Sequence, residues 1–231
     1  METLPLYVGA TFSITTLLAI WIFSRAAHCS KPLLFLLLAL IVIQSSLGLW
    51  GFYSNVNLVT ARFPLLVFPL MVFFISLFIT RGGKAFIDSL DIKTLTLLHA
   101  IRIPVEIVLL WLFLHHTIPQ AMTFEGSNFD ILSGLSAPLV YYFGFIKKQL
   151  NRMVMIIWNI VCILLLLNVV SNAVLSLPGR FQNFGFEQSN IAVGYFPFLL
   201  LPAILVPMVL FANAASIRQL ILKKNISLTN L

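Results

Sequence analysis

Residues 99–130 read HAIRIPVEIVLLWLFLHHTIPQAMTFEGSNFD, from His99 to Asp130. Arg102 and Glu106 stand here inside a run, 92–117, that is otherwise almost wholly apolar. Such a run supplies the ~20 residues that cross ~30 Å of hydrocarbon. The stretch also holds three of the four histidines and three of the seven acids. It therefore predicts a transmembrane helix that carries the chain's most unusual chemistry.

The rest of the sequence agrees with a bilayer setting. Of 231 residues, 60% are hydrophobic and 9% charged, and the mean hydropathy is +1.03. Soluble domains carry about a quarter charged residues, so this composition has no water-soluble core that could absorb it. The apolar runs are continuous rather than alternating, which excludes a transmembrane barrel. The fold class expected is all-α: one polytopic domain over 1–231 with seven spans, at about 4–24, 32–53, 64–80, 92–117, 128–146, 153–177 and 191–215.

Charge sets the expected threading. No basic residue precedes the first run and Arg25 follows it, the reverse of a cleavable signal peptide. With the N-terminus outside and the C-terminus cytoplasmic, the inner loops hold Arg25, Lys31, Arg81, Lys84, Lys93, Lys147, Lys148, Arg152, Arg218, Lys223 and Lys224. The outer side holds only Arg62 and Arg180. Eleven against two is the asymmetry that orients membrane proteins. It accounts for a net charge of +7 without any nucleic-acid partner. The lipid bilayer is the partner expected, and a homo-oligomer or partner subunit stays open.

Between spans three and four, RGGKAFIDSLD is glycine-broken and mildly amphipathic, as an interfacial segment would be. Asp91 is placed to cap span four, and Pro104 to kink it. Span seven contains Pro197, Pro202 and Pro207. Phe63–Pro69 (FPLLVFP) echoes Phe196–Pro202 (FPFLLLP), but neighbouring prolines do not align, and chance similarity of two Phe- and Pro-rich helices explains it better than a repeat. Cys29 and Cys162 are expected at different depths, so no disulfide is expected. No CxxC motif, phosphate loop or G-x-S-x-G elbow is present.

The candidate chemistry follows from these positions. Ionisable residues within a membrane usually face the protein interior and pair. Arg102 and Glu106 share a helix face at i, i+4, with His99 on the same face. They read either as a site that binds an anion or relays protons, or as a structural ion pair joining helices. Asp130, Ser133, Ala137 and Tyr141 share a face of span five, and Asn168, Asn172 and Ser176 nearly form a stripe on span six. These line the same cavity or serve only to glue helices. Gly126 and Gly134 allow close backbone approach, and Pro138 breaks the ladder of span five.

His115, His116, Glu125 and Asp130 cluster at the outer ends of spans four and five and could bind zinc or iron, although no H-x-x-x-H pair supports it and no cofactor is predicted. The leading expectation is a small-molecule or ion carrier, or ligand-binding membrane protein, with Arg102 holding a small anionic group and Glu106 or His99 coupling protonation. The alternatives are a membrane-embedded metal enzyme acting at the outer face and a non-catalytic membrane subunit.

TFEGSNFDILSGLSAPL and NIAVGYFPFLLLPAILVPMVLFANAASIRQL resemble stretches in a group of uncharacterised bacterial multi-pass membrane proteins. The resemblance covers spans four to seven. It implies a bacterial inner-membrane setting and carries over no functional residue.

Overall fold

A computed structural model of the chain describes residues 4–55, 59–179 and 182–222. Every regular element among them is helical. Helices α1 (Leu6–Ala26), α2 (Lys31–Leu49) and α3 (Val59–Ile79) lead to a short amphipathic α4 (Arg81–Ser89). Helix α5 (Ile92–Leu98) continues through a tight 3-10 turn, His99–Ile101, into α6 (Arg102–Leu114). Helix α7 (Ile131–Tyr141) widens at its end into a π turn, α8 spans Arg152–Leu175, and α9 (Val206–Leu222) follows a π turn at Leu201–Leu205. Among the described residues six helical stretches are long and apolar enough to cross a membrane, and Ile131–Ile146 is a shorter apolar one.

The expected breaks have identifiable causes. Asp91 accepts from the amides of Lys93 and Thr94 at 3.2 and 3.3 Å and so starts α5. Pro104 has no N–H to give the carbonyl four residues back, and the chain tightens to 3-10 geometry across that position. The segment at Arg81–Ser89 is helical and rests its Ile87 inward.

One end of the bundle gathers the basic loops. The Asp91 amide donates to the Ala26 carbonyl, Arg218 forks onto Asp88, and Arg152 donates to the Ile221 carbonyl. At the opposite end Ile191 bonds Thr117, and Asn190 bonds the Ala173 carbonyl. Arg180, Lys223 and Lys224 lie outside the described residues.

Buried residues make up 67% of the window in Leu201–Leu222 and 50% in Ile92–Leu114, against 22% in α2 and in Ala61–Ile79. The polar helix and the proline-rich helix are therefore the centre, and α2, α3 and α8 the periphery. Exposed Leu17, Phe35, Val42, Phe68 and Leu164 on the outside fit a lipid solvent.

Two spans differ from expectation. The fifth, expected at 128–146, is helical only from Ile131, and its 16 residues measure about 24 Å, short of a full crossing. The seventh, expected from Ile191, becomes helical at Leu201. Residues 191–199 form a 3-10 turn followed by hydrogen-bonded turns, with a cis Phe196–Pro197 bond. Pro197 thus precedes the helix rather than lying in it, while Pro64 and Pro69 of the similar FPLLVFP stretch lie inside α3. The sequence echo corresponds to no shared local structure.

Candidate functional site

Arg102 opens α6 near the middle of the Ile92–Leu114 helix and is 3% exposed. Its Nη1 donates to Asp130 Oδ1 and, at 3.3 Å, to the Cys162 carbonyl near the middle of α8. The ion pair is therefore between helices, not with Glu106 one turn along α6 as the i, i+4 spacing suggested. Asp130 immediately precedes α7, so α7 starts at mid-depth. Residues 115–130 return to that depth as non-α chain with one 3-10 turn, Gln120–Met122.

Irregular backbone at such depth is tolerated only where protein satisfies its polar groups. Here α8 supplies the partners. Asn168 donates to the Ser127 carbonyl at 2.6 Å, and Asn172 to the Ala121 carbonyl at 3.3 Å and to Ser127 Oγ at 3.1 Å. The Ser176 hydroxyl packs against buried Met122. The polar stripe of α8 thus anchors the descending loop.

Glu106 meets an amide rather than a cation. Asn128 Nδ2 lies 2.8 Å from both of its carboxylate oxygens and 2.9 Å from the Met122 carbonyl. The Asn128 carbonyl oxygen in turn accepts the Asp130 amide at 2.9 Å. Ser133 donates to Asp130 at 3.2 Å. One network thus runs Glu106–Asn128–Asp130–Arg102, tying α6, the loop, α7 and α8. All four side chains are buried.

Close approach makes the network possible. A Cβ on Gly134 would stand 2.9 Å from Ile103 Cγ1 and 3.3 Å from Arg102 Cβ, so glycine lets α7 rest against Arg102. A Cβ on Gly126 would meet the Gln120 carbonyl oxygen at 2.2 Å, and glycine there lets the loop close.

Arg102 is only partly satisfied. Its Nε and Nη2 are buried and have no partner among the described residues. These two groups form one edge of the guanidinium, the edge that offers two parallel N–H donors to a carboxylate or phosphate. At the basic end Arg218 uses that same edge. Its Nε and Nη2 reach the two Asp88 oxygens at 3.0 and 2.9 Å.

His99 is fully buried, its ring edge-on to Trp158 at 5.4 Å, with neither nitrogen partnered among the described residues. Trp158 is held by Ser136 at 2.9 Å. Tyr141 is half-buried beside Phe145, away from the network.

The four metal candidates are not brought together. Asp130 is engaged with Arg102, and Glu125 is exposed. His115 ends α6, and His116, in left-handed backbone at φ 56°, donates from Nδ1 to Gln188 Oε1 at 3.1 Å. Among the described residues no three His, Cys, Asp or Glu side chains are placed to share an ion. Cys29 is exposed and Cys162 buried, and both are free.

Sequence reasoning missed Asn128, the hinge of the network. A signal existed in the N-x-D spacing, which lets an amide bond the backbone two residues on. Asn213, seen in span seven but given no role, and Ser216, passed over in an apolar helix, are 0% and 1% exposed.

Residues 60–221 match the family described as a domain of unknown function, DUF8737. The chain belongs to that family. The matched region runs from α3 to α9 and contains every residue of the network. No curated protein and no solved structure matches the chain.

Proposed function

We propose that this is a seven-helix membrane protein that binds a small carboxylate, or a related oxoanion, on the open edge of Arg102, as a carrier or receptor. The N-terminus lies outside and the basic end faces the cytoplasm, in the inner membrane of a bacterium. The eleven-to-two asymmetry of basic residues supports that orientation. The half-length α7 and the buried loop supply the seventh crossing between them.

The observation that carries the binding reading is the unfilled Nε–Nη2 edge of a buried guanidinium. Buried polar groups in native proteins nearly always find partners, and the exceptions call for an explanation. A carboxylate ligand would complete Arg102 as Asp88 completes Arg218. A discontinuous helix at mid-depth beside the charge is also where carriers place their sites.

A thermal-shift screen in detergent tests this, with small mono- and dicarboxylates, phosphate and sulfate at matched ionic strength. At a hundred times its dissociation constant a binder stabilises the fold by ~2.7 kcal/mol. Arg102→Lys keeps the charge opposite Asp130 but cannot present two parallel donors, so the response should vanish in it. An equal response in Arg102→Lys, or no response in the parent to any anion, overturns the reading.

A further inference from the structure

Helices α2 and α3 are joined at one end and open at the other. Away from the basic end the Gln44 amide donates to the Leu65 carbonyl at 3.0 Å, and the Tyr53 hydroxyl donates to Gln44 at 2.7 Å. Pro69, inside α3, has no N–H to give the carbonyl four residues back, and Gln44 supplies the missing donor. Toward the basic end the two helices part around an apolar groove of about 470 Å³. Leu33, Leu36 and Ala39 of α2 form one wall and Phe73 and Leu77 of α3 the other, and Phe86 of α4 lines the basic end. From Ser30 at the rim to Ala39 the wall rises about 14 Å, the depth of one leaflet in a ~30 Å hydrocarbon core.

The rim of this groove is charged against the usual rule. Acids favour helix N-termini and cations helix C-termini, because the first amides of a helix have no intrahelical acceptor. Here α2 begins on Lys31, between the rim residues Ser30 and Pro32, and α4 begins on Arg81, on the chain between Leu77 and Phe86. Neither first turn holds an acid, and Ser30 makes no side-chain cap. Lys31 and Arg81 are exposed, and neither is ion-paired among the described residues. The nearby acids are already engaged, Asp88 with Arg218 and Asp91 with the start of α5. Two helix starts and two cations are thus left at the rim with no free acid among the described residues to balance them.

We propose that this groove holds an anionic glycerophospholipid from the leaflet at the basic end. One acyl chain lies along α2, and the phosphate sits at Lys31 and the start of α2, with Arg81 on the α3 side of the headgroup. An apolar trough one leaflet deep matches a chain, and a rim of unbalanced cations prefers a negative headgroup to a zwitterionic one. Basic pockets between transmembrane helices on the cytoplasmic side bind anionic headgroups in this way. The proposal rests on the membrane reading and not on the Arg102 reading, because no small anion takes part in it.

Binding of dioleoyl phosphatidylglycerol and dioleoyl phosphatidylcholine to the full chain in detergent tests this. Native mass spectrometry counts the retained lipids, and thermal shifts give apparent affinities. One phosphatidylglycerol should be retained, and it should stabilise the protein beyond phosphatidylcholine. Lys31→Gln should weaken its binding about fivefold, the ~1 kcal/mol that one basic residue contributes at a membrane surface. Ala39→Phe fills the trough about two turns from Lys31 and should also weaken binding, while its melting temperature without lipid checks that it folds. Lys148→Gln, beyond α7 at the same end of the bundle, should leave the affinity unchanged. Equal binding of the two lipids would mean annular lipid only. A loss in Lys148→Gln equal to that in Lys31→Gln would mean diffuse attraction to the basic end. Either result overturns the proposal, as does phosphatidylglycerol binding untouched by both Lys31→Gln and Ala39→Phe. No small carboxylate is titrated here, so failure of this test and failure of the Arg102 reading are separate results.

Discussion

Two Arg–Asp pairs join helices among the described residues, and they are near opposites. Arg218–Asp88 lies at the basic end with side chains 25% and 41% exposed. Arg102–Asp130 lies in the core at 4% and 7%. The exposed pair uses the Nε–Nη2 edge fully, while the buried pair uses Nη1 and that edge has no partner among the described residues. Where solvent could have completed a half-made pair, the protein completes it itself; where nothing else could, a donor edge is left open. Stability alone does not account for that arrangement. The proposed binding site would use that open edge.

Substitutions can break the contrast. Arg102→Leu leaves Asp130 and Glu106 buried without a cation and should cost about 3–5 kcal/mol. Arg102→Leu with Asp130→Leu should recover much of the loss, since apolar replacement of a buried pair is often near neutral. Denaturant titration in detergent would compare the two, and a double variant no better than the single would mean the pair is not the coupled unit described.

Smaller changes sharpen it. Asn128→Ala strips Glu106 of its amide partner and should cost about 1–3 kcal/mol by the same assay. Gly134→Ala forces a Cβ toward Ile103 and Arg102, with a similar cost of about 1–3 kcal/mol from overpacking. A melting temperature unchanged by either would show that the α6–α7 contact is looser than the geometry requires. Arg218→Ala should cost less than about 1 kcal/mol, because exposed ion pairs are weak. That small effect should shrink further in 1 M salt, where screening acts within ~3 Å.

Much of the architecture was legible because it rests on local rules. Apolar length set the long helices, Asp91 and Pro104 marked a start and a tightening, and Gly134 marked a close approach. The face Asp130–Ser133–Ala137–Tyr141 was read from spacing; its first three residues are buried and Tyr141 is half-buried. What escaped was set by tertiary contact. Span five looked continuous because the sequence does not reveal that Asn168 and Asn172 will satisfy a non-helical loop from another helix. Arg102 was matched to Glu106 by helical spacing, whereas Asp130 reaches it from a separate element and Asn128 takes the glutamate.

The most direct measurement reads the guanidinium edge itself. In protein carrying nitrogen-15 arginine, the Nε–H resonances of Arg102 and Arg218 can be followed by NMR, with assignment from Arg102→Lys and Arg218→Lys. On addition of the strongest carboxylate from the screen, the Arg102 signal should move as its edge gains an acceptor, and the Arg218 signal, already paired with Asp88, should stay. An Arg102 signal unmoved by saturating carboxylate, phosphate and sulfate would contradict the claim that this edge is a binding site.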